Sequence, residues 1–366
     1  MHQKILPISD PKRKFIRDKG LSDAVSDFIK SGPYINGNMV EFFEYKFSEF
    51  LKVNYVCGVA SGTSALQIAL SALTLKPNSK VLVAPNCGGY AALAVLNNNL
   101  IPCYYDVDLN GLANIEILQS MDLDQVSAII ITHLYGQTAN VAEIIPWARN
   151  NNLKVIEDCA QSVGSIFDNQ RSGTFADIGV FSFYPTKNLS TIGDAGAICT
   201  NDLTYYTNCK LLRQYGWAQK YNSKIPGLNH RLDALHALVL IRQLDYLDQD
   251  NENRRNIWLR YKEALDGYGI RLIGEDNKSF VAHLAIIEVE NRSEIQNIFA
   301  NYSISTDIHF PYLDAEQQTF MRFKSQNTDT AKKLAQKILT IPLFPLMESA
   351  EIERVIDVLN IIRKFQ

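Results

Sequence analysis

From Tyr55 to Thr200, short apolar runs rich in β-branched residues alternate with helical stretches. This alternation constrains the fold more than any other feature. YVCGVA from Tyr55, KVLVAP from Lys80, IPCYYDVD, SAIIIT from Ser127 and KVIEDC from Lys154 read as buried strands. TSALQIALSALTL, GYAALAVLNNN and AEIIPWARNN fall between them as helices. The pattern predicts an α/β fold, a three-layer α/β/α domain with a mostly parallel sheet and helices on both faces. Ligands of such sheets collect at the carboxyl ends of the strands.

Two helices are expected ahead of the first strand. One has Ala24, Phe28 and Ile29 on its apolar face and stops at Gly32-Pro33. The other buries Phe42, Phe43, Phe47 and Leu51. After Thr200 the chain turns helical, then short strands return near Gly267. The last helix carries a stripe of Ile352, Val355, Ile356 and Leu359. We therefore expect a large domain over 1–245 and a smaller C-terminal α+β domain over 246–366. At 366 residues there is enough chain for both cores.

A net charge of -3 offers no field for nucleic acid or an anionic membrane, and no apolar run reaches membrane-spanning length. The six cysteines are scattered inside apolar runs without a CxxC pair, the usage of a reduced, cytoplasmic protein rather than a zinc site. The first residues, MHQKILPISDPKRKF, lack the apolar core of a signal peptide.

Three features of the α/β region carry chemistry. In FSFYPTKNLSTIGDAGAICT, Lys187 stands on a tight loop between two apolar strands. A dehydrated lysine there would have a lowered pKa and act as a nucleophile at neutral pH. In VIEDCAQSVG, Asp158 lies just past a buried strand with Gln161 three residues on. In ASGTSAL, Gly62, Thr63 and Ser64 open a helix, whose free N–H groups can cradle a phosphate. Each has a plainer reading: a surface lysine, a capping aspartate, a capped helix. Together, in this order on one sheet, they match what pyridoxal phosphate requires: an amine, an acid for the pyridine nitrogen and a phosphate cradle. No metal is implied.

The same stretches resemble the DegT/DnrJ/EryC1/StrS family of sugar aminotransferases, which have the fold-type-I architecture of aspartate aminotransferase. SGPYINGNMVEFFEYKFSEFL, SGTSAL, HLYGQ, EDCAQSVG, FSFYPTKNLSTIGDAGA, GLNHRLDALHALVLIRQLDYLD and LTIPLFPLMESAEIERVIDVL carry the likeness over nearly the whole chain. The resemblance implies that Lys187 carries the cofactor as a Schiff base and shuttles a proton. It pairs Asp158 with the pyridine nitrogen and sets Gln161 by the phenolic oxygen. Gly62, Thr63, Ser64 and Ser182 would hold the phosphate. Asn229 of GLNHR would reach it from a neighbouring subunit, making a homodimer with composite sites. The implied reaction moves an amino group from an amino acid, L-glutamate foremost, to a keto sugar, most often nucleotide-linked, in lipopolysaccharide or other amino-sugar biosynthesis. The runners-up are the same reaction on a free keto sugar or sugar acid, a sugar dehydratase, and a regulatory protein that has kept the fold. Retention of Lys187 favours transamination.

Two positions depart from the family pattern. Gly88 and Gly89 stand where an aromatic residue stacks on the cofactor ring, with Tyr90 the nearest aromatic. We read the glycines as open space for a bulkier substrate. Asp314 stands where a histidine is usual, in a segment that helps line the substrate entrance. His133 is read as a satisfied core histidine, Cys159 as core, and Arg213, Arg231 and Arg242 as paired or solvated.

Overall fold

The structure, a computed structural model, describes residues 4–323 and 327–364, and the elements below are those among them. Seven strands form the main sheet: β1 (Tyr55–Val59), β2 (Lys80–Val83), β3 (Ile101–Tyr104), β4 (Val126–Thr132), β5 (Lys154–Asp158), β6 (Ile178–Ser182) and β7 (Gly196–Thr200). Their order is β1-β7-β6-β5-β4-β2-β3. Only β7 runs against its neighbours, so six carboxyl ends share one edge. Strand residues are buried on both faces, as a covered parallel sheet demands.

Helices α1 (Pro11–Arg17), α2 (Leu21–Ser31) and α3 (Asn38–Leu51) precede the sheet. Between the strands come α4 (Gly62–Ala72), α5 (Tyr90–Asn97), α6 (Ile115–Gln119) and α7 (Val141–Asn150). Next are α8 (Leu203–Leu212), α9 (Ala234–Leu244) and α10 (Leu247–Leu265), so the long helical run after the main sheet is broken in two. A smaller antiparallel sheet follows, β8 (Arg271–Ile273), β9 (Ala285–Glu288) and β10 (Ile338–Ile341), in that order. Helices α11 (Arg292–Asn301), α12 (Asp329–Lys337) and α13 (Ser349–Ile362) accompany it. No described helix is long and apolar enough to cross a membrane.

An aromatic cluster ties α3 to the strand that leads to Lys187. Phe47 stacks on Phe43 and meets Phe181 and Phe183 edge-on at 5.1 and 5.4 Å. All four are fully buried. Such pairs add about 0.5–1.5 kcal/mol each beyond burial, so this packing fixes the backbone just before the loop that carries Lys187.

The structure corrects three expectations. Ile29 and Phe42 are exposed. On α2 the inward residues are Leu21 and Phe28; on α3 they are Val40, Phe43, Phe47 and Leu51, and the next residue round each helix points about 100° away. Leu6, at the start of the chain, packs with the smaller unit, whereas Lys14 of α1 bonds to the large one. Leu6 pairs with Ser303 and Ser305, Ile8 accepts from Leu343 N, and Leu6 is buried in the smaller core with Trp258, Tyr261 and Phe299. An apolar residue at position 6 finds its dehydrated place only there. Helix α1 and β10 were not anticipated.

Candidate active site

A cavity of about 530 Å³ opens over the carboxyl ends of β1, β5 and β6. Its lining includes Gly62, Thr63, Asp158, Gln161, Ser182 and Lys187. Six residues drawn from three separate stretches of sequence thus face one space. Ser61, Cys87, Thr132, Arg254 and His283 also line it and were missed or passed over in the sequence; so does His309, whose place in HFPYLDAEQQ put it near the substrate entrance.

Lys187 lies in the crossover from β6 to β7. Its N–H donates to Tyr184 O at 2.8 Å, and Thr191 N closes the loop on Phe183 O. Burial lowers the Lys187 ammonium to about 8 against the opposing pull of Asp158. An amine at that value is roughly one-tenth free base at pH 7, so it can act as a nucleophile.

The loop is held from beneath. Lys14 of α1 is almost fully buried and donates to Lys187 O at 3.0 Å, Asn188 O at 2.8 Å and the Ser190 hydroxyl at 2.8 Å. Asn188 in turn donates to Asn251 Oδ1 and Val281 O, and accepts from His283 Nδ1. Nothing in the periodicity of PKRKFIR distinguishes Lys14 from a solvated helix lysine; the signal is tertiary.

Asp158 ends β5. One carboxylate oxygen accepts from Ala160 N at 3.0 Å, and the other has no partner among the described residues. Burial raises its pKa, with the Ala160 N–H and the Lys187 charge opposing. A buried carboxyl with an unused oxygen suits a cationic ring nitrogen. Gln161 accepts from Tyr135 N at 2.7 Å, leaving its amide NH₂ as a donor. The Tyr135 hydroxyl donates to His309 O.

Helix α4 begins at Gly62, capped by Ser61, whose side chain accepts from Ser64 N at 3.0 Å. The Ser61 and Ser64 hydroxyls are also bonded. Plain capping is therefore at work, and it spends the Ser64 N–H. A Cβ at Gly62 would come within 2.7 Å of Ser182 Cβ, so only glycine lets the helix start approach β6 this closely. These features fit pyridoxal phosphate: a partly free helix N-terminus, an acid with an open oxygen and a dehydrated amine.

The open-space reading of Gly88 and Gly89 does not hold. Both have positive φ, 74° and 81°, which requires glycine on backbone grounds. A Cβ at Gly88 would press on Tyr90 and Phe310, and one at Gly89 would sit 2.9 Å from Phe320. Tyr90 lines the cavity beside Phe310 at 6.4 Å. Asp314 is fully buried, accepting from Gly89 N at 2.7 Å while Asp314 N donates to Pro85 O. It clamps two rim segments together and is not itself part of the cavity lining.

His133 donates from Nε2 to Glu157 and accepts Ala139 N at Nδ1. Glu157 is also committed to Gly173, Phe175 and Ala176 N–H groups. The His133, Glu157 and Cys159 cluster is thus structural. Arg213 pairs with Glu44, and Arg242 with Asp18. Arg231 packs over the Tyr215 ring. Asn229 lies outside this cavity, exposed and bridged to Gln214.

The family model for DegT/DnrJ/EryC1/StrS aminotransferases matches residues 16–360. The chain belongs to this family. Its aminotransferases depend on pyridoxal phosphate. It is 35% identical over 360 residues to dTDP-3-amino-3,6-dideoxy-alpha-D-galactopyranose transaminase of Aneurinibacillus thermoaerophilus, covering 97% of this chain and 99% of that one. It is 31% identical to a UDP-N-acetyl-3-dehydro-alpha-D-glucosamine 3-aminotransferase of Acidithiobacillus ferrooxidans, covering 97% of each. Among solved structures, S. venezuelae DesV in complex with a ketimine intermediate superposes with a TM-score of 0.95 at 28% identity, covering 99% of both chains. The likeness extends across the small unit, so the DegT/DnrJ/EryC1/StrS fold is present throughout this chain.

Proposed function

We propose that this aminotransferase moves an amino group from an amino acid, L-glutamate foremost, to a nucleotide-linked keto deoxy sugar for amino-sugar biosynthesis, lipopolysaccharide included. One observation carries the reading. A single cavity brings together the dehydrated Lys187 amine, the Asp158 carboxyl and the start of α4. The activities for which the relatives are named, on dTDP- and UDP-linked sugars, support the substrate class.

Pyridoxal phosphate, when bound, supplies an electron sink and a carrier for the amino group. Lys187 would attach the cofactor, and its amine would move the proton at the reacting carbon. Asp158 would keep a proton on the pyridine nitrogen. The Gln161 NH₂ would meet the phenolic oxygen. Gly62 and Thr63 would offer backbone N–H groups to the phosphate, and the Thr63, Ser64 and Ser182 hydroxyls would complete the cradle. Lys14 keeps the Lys187 loop in place.

We assign Asn229 to the phosphate of a partner subunit in a homodimer. Its surroundings support this. Ile35 pairs with Asp233, Asn36 donates to Gln214, and Gln214 bridges to Asn229. Tyr34 and Ile35, both exposed, directly precede Asn36 of this network. Six unpaired cysteines, five of them buried, suit a reducing cytoplasm.

The test separates the half-reactions. Enzyme loaded with the amino form of the cofactor is mixed with 3-keto and 4-keto sugars, nucleotide-linked and free. Return of the aldehyde-form absorbance with a nucleotide-linked sugar is expected. Return with free sugars alone would overturn the substrate class, and no return with any would overturn the sugar reading.

A further inference from the structure

We propose that Arg254 is the anion-binding group of this cavity and holds a carboxylate of the amino-acid donor. The inference rests on the aminotransferase reading and adds the donor's binding residue to it.

Arg254, on α10, is 2% exposed and lines the cavity. A guanidinium so far from water normally has a carboxylate partner, because dehydrating a lone cation costs several kcal/mol. Arg254 has none among the described residues. Its Nη1 makes two long bonds, to His283 O at 3.3 Å and Leu343 O at 3.2 Å. Its Nε is buried without a partner. Its Nη2 has no partner among the described residues. The nearest acid along the helix, Asp250, is bound by both terminal nitrogens of Arg17, at 2.6 and 3.0 Å. Donors remain, and the local acid is spent.

The surroundings deepen the deficit. Lys14 is close enough to feel the charge of Arg254, and its three N–H bonds go to Lys187 O, Asn188 O and Ser190. It adds positive field and has no donor left for a ligand. His283 is kept neutral by burial and by the charges of Lys187 and Arg254, and it spends Nδ1–H on Asn188. Three basic side chains, Lys14, Arg17 and Arg254, therefore share the single carboxylate of Asp250. Burial holds Arg254 down to about 10, the sign of a cation without enough compensation. An anion entering the cavity would relieve all of these groups at once.

The anion's source follows from where Arg254 stands. It bonds to His283, and His283 bonds to Asn188, the residue after Lys187. Lys187 and Arg254 line the same cavity, and both charges act on His283 between them. In an amino acid the α-carboxylate is attached to the very carbon that carries the amino group. In a nucleotide-linked 3- or 4-keto sugar the phosphates hang from the anomeric carbon, separated from the reacting carbon by ring atoms. The cofactor's phosphate has its own cradle at α4. The donor carboxylate is the anion joined directly to the reacting carbon.

Arg254→Met and Arg254→Lys holoenzymes, compared with wild type, test this by half-reaction. With L-glutamate, the concentration for half-maximal conversion to the amino form should rise by about 10- to 100-fold in Arg254→Met, as for loss of a charge-assisted bond. Arg254→Lys should keep part of the affinity. When the amino form is loaded directly, conversion by the keto sugar should stay within about twofold of wild type. Glutarate, which cannot react, should shift the cofactor absorbance of wild-type holoenzyme and fail to do so in Arg254→Met. A defect confined to the keto-sugar half would overturn the proposal in favour of a sugar-borne anion. Equal loss in both halves with a lowered melting midpoint would reduce Arg254 to packing. If Arg254→Met does not fold, Arg254→Lys decides: unchanged glutamate and glutarate affinity would overturn the proposal. Should wild type accept no amino group from glutamate while glutarate still binds through Arg254, the donor reading fails and the anion site stands.

Discussion

The floor and the rim of the cavity are built in different ways. The floor comes from strand ends: Gly62 and Thr63 after β1, Asp158 at the end of β5, Ser182 and Lys187 at and after β6. Each residue is placed by the strand it follows, and each sits in a short local motif. The rim comes from contacts across the chain. Gly89 N meets Asp314, 225 residues away, and Phe310 packs beside Gly88 and Tyr90. On the proposed reading the floor is where chemistry is fixed, and the rim is where the fold is held together. Substitutions should sort the same way, with activity lost at the floor and fold stability at the rim.

The largest effect is expected for Asp158→Asn. Removing the charge at the pyridine nitrogen should cut turnover by roughly 10²- to 10³-fold, with cofactor retained by absorbance and the melting midpoint little changed. Near-normal turnover would make Asp158 a mere cap and erase the distinction between the two regions.

Lys14→Met comes next and probes the support beneath the floor. It leaves Lys187 O and Asn188 O unpaired in a buried site, at about 1–3 kcal/mol. Denaturant melts should show that loss, and kcat should fall more than KM rises, because the loop carrying the amine is loosened. Lys14→Gln, which keeps a donor, should recover part of both. A variant as stable and active as wild type would show that the loop holds itself.

At the rim, Gly89→Ala should cost about 1–2 kcal/mol through its positive φ alone, plus the contact with Phe320. Its kcat should stay within about threefold of wild type. A large fall in kcat without a stability change would move Gly89 from the rim to the chemistry.

A further effect concerns pH. Burial raises Asp314 to about 7, opposed by the Gly89 N–H. The unfolded carboxyl ionises near 4 while the folded one still holds its proton. Asp314 therefore lowers stability as pH rises from about 4 to about 7, with no further change above that range. Asp314→Asn keeps an acceptor for Gly89 and should flatten the slope in that window. An unchanged slope would place the titration elsewhere.

How much of this was legible in the sequence follows the same division. The alternation of buried runs predicted the main sheet, and the three short motifs named the floor, because strand ends and the loops after them are local. The burial of Lys14 and Asp314 could not be read from their neighbours in sequence. Their partners lie 173 and 225 residues away, and a lysine in PKRKFIR looks like any solvated helix lysine. Gly88 and Gly89 were misread because composition signals flexibility or space, while the positive φ and the packing of Phe310 and Phe320 are visible only in the fold. The apolar residues Ile29 and Phe42 looked like core for the same reason: periodicity marks a face and does not say what covers it.

The account turns on which buried lysine carries the cofactor, since Lys14 and Lys187 lie on the same loop network and both are lowered by burial, to about 7 and about 8. Lys14 spends its three protons on the loop, whereas Lys187 faces the cavity with Asp158. Borohydride reduction of the holoenzyme followed by peptide mapping measures this directly. The account predicts the reduced cofactor on the peptide containing Lys187, and none after Lys187→Ala. Label on Lys14, or no label on an enzyme saturated with cofactor, would contradict it.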